Sequence, residues 1–251
     1  MRLRRFRRAV ALGIALAGCF LRFWFTRLRG PLTLERRARW LQSAARSVLA
    51  SLGIRYSVEG QPPESGLVVS NHLSYLDIVL YSAAMPCFFV SKVEVKQWPY
   101  FGKAARAGGT IFLDRSSHAS ATAAAAQIAE RLTLRVPVLL FPEGTSTDGS
   151  SVLRFHARLI QPATQAGAPV TAAAIRYVLE SNVAERELCW YGDAPFLSHL
   201  WKVLGAAGFT ARIHFGEPQV YANPRLAAEE THALVAGMRA EAFSMAAAHP
   251  A

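Results

Sequence analysis

The chain has 251 residues, 52% of them hydrophobic, and a formal net charge of +11. That length suits one α/β domain with a substantial core, or one domain plus an appendage, and excludes a miniature scaffold held together by disulfides. Three scattered cysteines, Cys19, Cys87 and Cys189, have no metal-ligand spacing and suit a reduced compartment. The charge is strongly partitioned: residues 1–60 hold thirteen arginines against Glu35 and Glu59, while residues 61–251 hold fifteen charges of each sign.

The first thirty residues place an apolar run, Ala9 to Leu21, between two arginine clusters. As a helix, thirteen residues would span about 20 Å, short of the ~30 Å hydrocarbon core, and no run approaches the ~20 apolar residues of a spanning helix. Residues 36–54 repeat Trp40/Leu41, Ala44/Ala45, Val48/Leu49 and Leu52 at helical spacing, with Arg39, Gln42, Ser43, Arg46 and Ser47 on the other face. This is an amphipathic helix with an arginine-rich polar side. Together the two segments predict a membrane-surface anchor over residues 1–53. "LAGC", ending at Cys19, looks like a lipoprotein cleavage box. The aromatic, arginine-rich "FLRFWFTRLR" that follows argues against a mature secreted terminus. The unbroken apolar run likewise argues for lipid over nucleic acid as the partner of the arginines.

From Ile54 the pattern changes, and residues 54–251 read as one α/β domain. "IRYSVEG" and "LVVS" read as strands separated by a "QPPESG" turn. "HLSYLDIVLYSAA" then reads as helical, and Ser74-x-x-Asp77 is a capping-box-like start in which Asp77 reaches back over the first turn. On a continuous helix His72 and Asp77 would point about 140° apart. The two can meet only if His72 lies in the strand-to-helix turn, where the expected boundary puts it. A carboxylate on one imidazole nitrogen sets the tautomer and makes the other nitrogen a stronger base, able to deprotonate a hydroxyl. No G-x-S-x-G nucleophile elbow is present.

Further along, "GGTIFLDR" is a strand ending in Asp114-Arg115, and residues 116–132 form a serine-capped, alanine-rich helix. Val136 to Phe141 is an apolar strand that breaks into Pro-Glu-Gly-Thr. There Glu143, Gly144 and Thr145 offer backbone N–H groups and a hydroxyl to an oxyanion or phosphate. "APVTAAAIRY" and "ARIHFGEPQVY" are later strands, and residues 225–246 form a closing helix. Each loop places polar residues just past an apolar strand, where ligands gather in open α/β sheets. Lys92, Lys96 and Lys103 could form a basic rim for an anionic donor. The remaining histidines have no ligand spacing, so no metal is called for.

These blocks resemble the glycerolipid acyltransferase family, whose best-known members acylate 1-acylglycerol-3-phosphate. "NHLSYLD" fits its N-H-x-x-x-x-D block, "GTIFLDR" its second, "FPEGTS" its third and, loosely, "APVTAAAI" its fourth. The resemblance implies a single α/β domain with a mixed sheet flanked by helices, preceded by membrane-associated helices. It implies His72 as general base held by Asp77, Arg115 as a headgroup-phosphate contact, and Glu143 with Gly144 and Thr145 at the acyl-acceptor site. It further implies a lysolipid acceptor, acyl-CoA or acyl-carrier protein as donor, no cofactor or metal, and a place on the cytoplasmic face of a bacterial inner membrane. Lysophosphatidic acid is the acceptor to expect first. Two positions depart from the pattern: residue 146 is Ser where the family commonly has Arg, and residue 172 is Ala where a second Pro is usual. With "WYGDAPFLSHLWKVLG" downstream, the first departure resembles the branch that acylates lyso-ornithine lipid.

Overall fold

A computed structural model describes residues 1–98, 100–114, 116–179 and 184–248, with side chains at all of them except His118 and 241–248. Two long helices, α1 (Arg2–Leu28) and α2 (Leu34–Leu52), lead into the sheet strands β1 (Ile54–Glu59) and β2 (Leu67–Ser70). Then follow α3 (Leu76–Ala84), β3 (Phe88–Lys92), a 3-10 turn (Val93–Gln97), α4 (Phe101–Gly108), β4 (Ile111–Leu113) and α5 (His118–Leu132). The second half runs β5 (Val138–Leu140), α6 (Ala157–Gln165), β6 (Val170–Leu179), a 3-10 turn (Glu185–Glu187), α7 (Phe196–Gly205), β7 (Phe209–Phe215) and α8 (Pro224–Ala248).

The seven strands form one sheet in the order β1-β7-β6-β2-β5-β3-β4. Neighbours are parallel apart from the antiparallel pair β6–β7, so the sheet is mixed as expected. β2 lies in the middle, with Val69 opposite Leu140 of β5 and Ala172 of β6. Helices cover both faces, which is why every residue of β2 is buried and the strand reads as a continuous apolar run. Gly66 opens β2 at φ +83, and a Cβ there would meet the Pro169 carbonyl oxygen at 2.4 Å. Only glycine lets the chain enter the sheet at that point.

One face of the sheet packs Leu49, Leu76, Leu80, Val203 and Leu204 from α2, α3 and α7. The other packs Ala38, Ile160, Ala163, Ala227 and Val235 from α2, α6 and α8. The amphipathic stripe expected of α2 is realised: Trp40, Ala44, Ala45, Leu49 and Leu52 are buried, Thr33 caps the first turn through Arg36 N–H (3.3 Å), and left-handed Gly53 ends the helix. Because α2 is buried in both core layers, it belongs physically to the domain as well as to the N-terminal helix pair.

α1 differs from the expectation. It extends over 27 residues, about 40 Å, and contains an 18-residue stretch long and apolar enough to cross a bilayer. Counting the uninterrupted apolar residues understated the helix because Arg8 and Arg22 interrupt the run but not the backbone, arginine being a good helix former. α1 nevertheless lies against the domain. Trp40 donates its indole N–H to Cys19 O (3.0 Å), Arg8 donates to Ala206 O (2.6 Å), and Arg5 sits over the Trp201 ring of α7.

Candidate active site

The site grows out of the carboxyl end of β2. As the strand stops, Asn71 continues its pairing with a side chain: the amide donates to Ile175 O (3.1 Å) and accepts from Ile175 N–H (2.9 Å). Freed from the ladder, the backbone turns at His72. Its N–H donates to Glu143 Oε1 (2.7 Å) and its carbonyl accepts from Thr147 N–H (2.9 Å). The imidazole stacks on Phe141, with ring centroids 4.0 Å apart and planes 10° from parallel. Backbone and ring are therefore both held, while the side chain keeps 18% of its surface exposed.

α3 begins at Leu76, so residues 72–75 form the turn and His72 lies outside the helix, as the His-Asp pairing requires. Asp77, fully buried, accepts at Oδ2 from His72 Nδ1 (2.8 Å), Leu73 N–H (2.7 Å) and Ser74 N–H (3.0 Å). The bonds to Leu73 and Ser74 cap the turn, so the capping and orienting roles coexist in one oxygen. Ser74 Oγ in turn accepts from Leu76 N–H (3.3 Å). In the tautomer that donates from Nδ1 to Asp77, the ring lone pair sits on Nε2.

Glu143 is buried against the His72 backbone. It is 4% exposed, and its second oxygen accepts from Leu153 N–H (2.8 Å). Burial raises its carboxyl above the ordinary value, against the lowering effect of those two N–H donors. Gly144 adopts φ +80 in the same turn, and its N–H closes onto Phe141 O (3.1 Å), so that group serves the turn. Thr145 is exposed beside it. Ser146 donates to Trp190 O (2.5 Å), and Trp190 N–H donates to Leu73 O (2.8 Å), which ties the downstream aromatic segment to the histidine turn. Arg115 lies outside the described residues. Lys92, Lys96 and Lys103 are exposed near the ends of β3, the 3-10 turn and α4.

Three further residues, absent from the sequence-based site, complete it. Tyr177 on β6 donates its hydroxyl to Asp77 Oδ1. Burial and then the Asp77 charge push that phenol well above its ordinary range, so it stays a neutral donor. Glu185 accepts from Tyr177 N–H (2.7 Å), and Arg239 of α8 donates to Glu185 (2.8 Å), Ile175 O (2.6 Å) and Gly149 O (2.7 Å). Arg239 thus clamps the strand and the loop that hold Asn71 and His72. Neither local spacing nor composition marks these residues; Tyr177 ends the block "APVTAAAIRY", but its partner is 100 residues away. Among the described residues no cluster of three or more His, Cys, Asp or Glu is placed to hold a metal ion.

Residues 54–176 match the family model described as Acyltransferase. The chain is 41% identical over 170 residues to a lyso-ornithine lipid O-acyltransferase of Rhodobacter capsulatus, covering 64% of this chain and spanning 60% of that relative's length. It is 36% identical over 185 residues to a 1-acyl-sn-glycerol-3-phosphate acyltransferase of Neisseria meningitidis, 72% of each protein. A lyso-ornithine lipid O-acyltransferase of Pseudomonas aeruginosa is 35% identical over 216 residues, 84% of this chain and 83% of that one. The fold superposes on the crystal structure of the 1-acyl-sn-glycerophosphate acyltransferase of Thermotoga maritima with a TM-score of 0.71 at 18% identity, over 96% and 95% of the two chains. The family match runs through the central strands and the loops that carry His72, Asp77 and Glu143, and with relatives this similar over most of their length it establishes that the chain belongs to the acyltransferase family.

Proposed function

We propose that this enzyme transfers a fatty acyl group from a thioester donor, acyl-CoA or acyl-carrier protein, to the free hydroxyl of a lysolipid, with His72 as general base. The observation that carries this reading is the 2.8 Å bond from His72 Nδ1 to a fully buried Asp77, beside a ring that remains partly open to solvent. His72 Nε2 takes the proton of the acceptor hydroxyl as its oxygen attacks the thioester carbonyl. Asp77 stabilises the imidazolium that forms. Collapse of the tetrahedral intermediate breaks the C–S bond, and the departing thiolate takes the proton back from Nε2, so that ester and free thiol leave without an acyl-enzyme. Glu143 acts here by holding the His72 backbone. Arg115, Gly144 and Thr145 stay assigned to the acceptor side through the resemblance.

Two acceptors fit, and Ser146 orders them. Its hydroxyl is committed to the Trp190 carbonyl, and it offers no charge to a phosphomonoester where the family commonly has arginine. Together with the Rhodobacter and Pseudomonas relatives, this favours lyso-ornithine lipid; 1-acylglycerol-3-phosphate is the second reading, supported by the Neisseria relative. Both are membrane lipids. α1 is pinned along the domain and exposes Leu3, Phe6, Ile14, Trp24 and Leu28, while α7 exposes Leu197 and Trp201. This supports residues 1–53 as a helix pair lying on the bilayer; the cytoplasmic face, and residues 54–251 as the catalytic unit, are assigned through the resemblance.

The test supplies wild type and His72→Ala with acyl-CoA or acyl-carrier protein and both lysolipids, reading the diacyl products by mass spectrometry. Loss of at least the 10²–10⁴-fold typical of general-base catalysis is the expected result. Unchanged transfer by His72→Ala refutes the base assignment, and thioester loss without a lipid product marks a hydrolase.

A further inference from the structure

Between α1 and α2 lies a cleft of about 390 Å³ whose walls include four arginines, Arg22, Arg29, Arg36 and Arg39, and no acidic side chain. Phe25 and Trp40 supply its apolar side. Two of the cations are built in. Arg22 donates to Ser43 Oγ (3.0 Å) and Ser47 Oγ (2.8 Å), and Arg36 to Pro31 O (2.7 Å) and Thr26 O (3.0 Å). All four acceptors are neutral, so these bonds place the guanidinium groups without cancelling their charge. The guanidinium groups of Arg29 and Arg39 make no hydrogen bond to another described residue; the Arg29 backbone N–H closes α1 on Phe25 O (3.2 Å). Glu35, the one acid of the two helices, is held by its own backbone and Thr33, and feels the Arg39 charge as a smaller influence.

Packing alone does not call for such a cluster. Four like charges around one cleft repel one another, and uncharged donors could bridge the helices equally well. The arrangement suits a bound anion, with α2's positive N-terminal end adding to the field. Its surroundings narrow the class: Leu21, Trp24, Phe25 and Leu28 are each at least half exposed around the same end of α1. A phosphate attached to acyl chains would satisfy both features, whereas free phosphate would use only the arginines.

We propose that this cleft is a binding site for the phosphodiester headgroup of an anionic phospholipid, separate from the His72 site, with the lipid's chains against Leu21, Trp24 and Leu28. The site sets lipid choice as well as attachment. It rests on the reading that α1 and α2 lie on a bilayer, but not on the acyl-transfer reaction.

Short-chain lipids below their micellar concentration provide the test, because monomers carry no surface potential. Dihexanoylphosphatidylglycerol, dihexanoylphosphatidylcholine and inorganic phosphate are titrated by calorimetry into the full chain, wild type and two double variants of equal charge change. The cleft variant is Arg29→Gln/Arg39→Gln, and the control is Arg2→Gln/Arg7→Gln, both exposed near the start of α1. Expected is saturable one-to-one binding of the phosphatidylglycerol, at least tenfold weaker in the cleft variant and within twofold of wild type in the control. Circular dichroism confirms that both variants fold. Equal weakening in the two variants, no saturable binding, or phosphate binding as tightly as the lipid would each overturn the site. A wild type that binds the lipid but transfers no acyl group removes the enzymatic reading and leaves this one standing.

Discussion

Tyr177 and Asp77 meet through the second carboxylate oxygen: Oδ2 serves His72 and the turn, while Oδ1 accepts from the Tyr177 hydroxyl. The phenol therefore fixes the rotation of the carboxylate that orients His72. Tyr177→Phe keeps the buried ring and removes only that donor. A hydrogen bond to a charged group contributes about 1.5–3 kcal/mol, so kcat is expected to fall roughly 10- to 160-fold with KM nearly unchanged. Steady-state kinetics with a lysolipid acceptor checks the split; a change confined to KM would place Tyr177 on the binding side.

Arg239 and Glu185 form a buried ion pair, with side chains 5% and 10% exposed. Removing one partner leaves a charge stranded in the core, at a cost of about 3–5 kcal/mol. Arg239→Met is therefore expected to lose that much in urea unfolding. Arg239→Met with Glu185→Met should recover part of it, since no lone charge remains buried. Arg239→Lys should not rescue, because one ammonium cannot reproduce the fork that spans Glu185, Ile175 O and Gly149 O.

Ser146→Arg exchanges the bond to Trp190 O for a cation at the family's usual position. The ratio of phosphatidic acid to ornithine lipid formed in direct competition is expected to rise about tenfold, the scale of one charge-assisted hydrogen bond. An unchanged ratio would show that residue 146 does not choose the acceptor.

His199 is 7% exposed, donating from Nε2 to Leu188 O (3.2 Å) and accepting at Nδ1 from the Tyr75 hydroxyl (3.1 Å). Burial lowers its pKa below the ordinary 6.5. The unfolded chain thus binds a proton that the folded chain refuses, so stability is full above about pH 6.5 and is lost as pH falls toward the depressed folded value. The slope in that window can reach about 1.4 kcal/mol per pH unit for one proton. His199→Gln should flatten it; urea midpoints at several pH values from 5 to 8 give the comparison.

How far the sequence reaches is clear from particular elements. The His72–Asp77 pair was legible because everything that makes it is local: a four-residue apolar strand, a turn, and an S-x-x-D helix start. β3 was not read from sequence, because "CFFVSK" comes only two residues after an apolar helix and short apolar runs carry no distinguishing period. Glu143 was found by its motif, yet its burial against the His72 backbone was not, since the motif does not tell which way the carboxylate points.

By itself the sequence determined the partition of charge between an arginine-rich first quarter and a balanced remainder, the strand-end blocks, and the residue types of the turn at His72. All of these are written in composition and short-range spacing. Only the tertiary structure decided that β2 lies between β5 and β6, and hence that Glu143 from one neighbour and Tyr177 from the other converge on residues 72–77. The same packing brought Arg239, from the last helix, behind them. Which distant strands become neighbours is chosen by the burial of both sheet faces and by helix packing, and no local propensity encodes that choice.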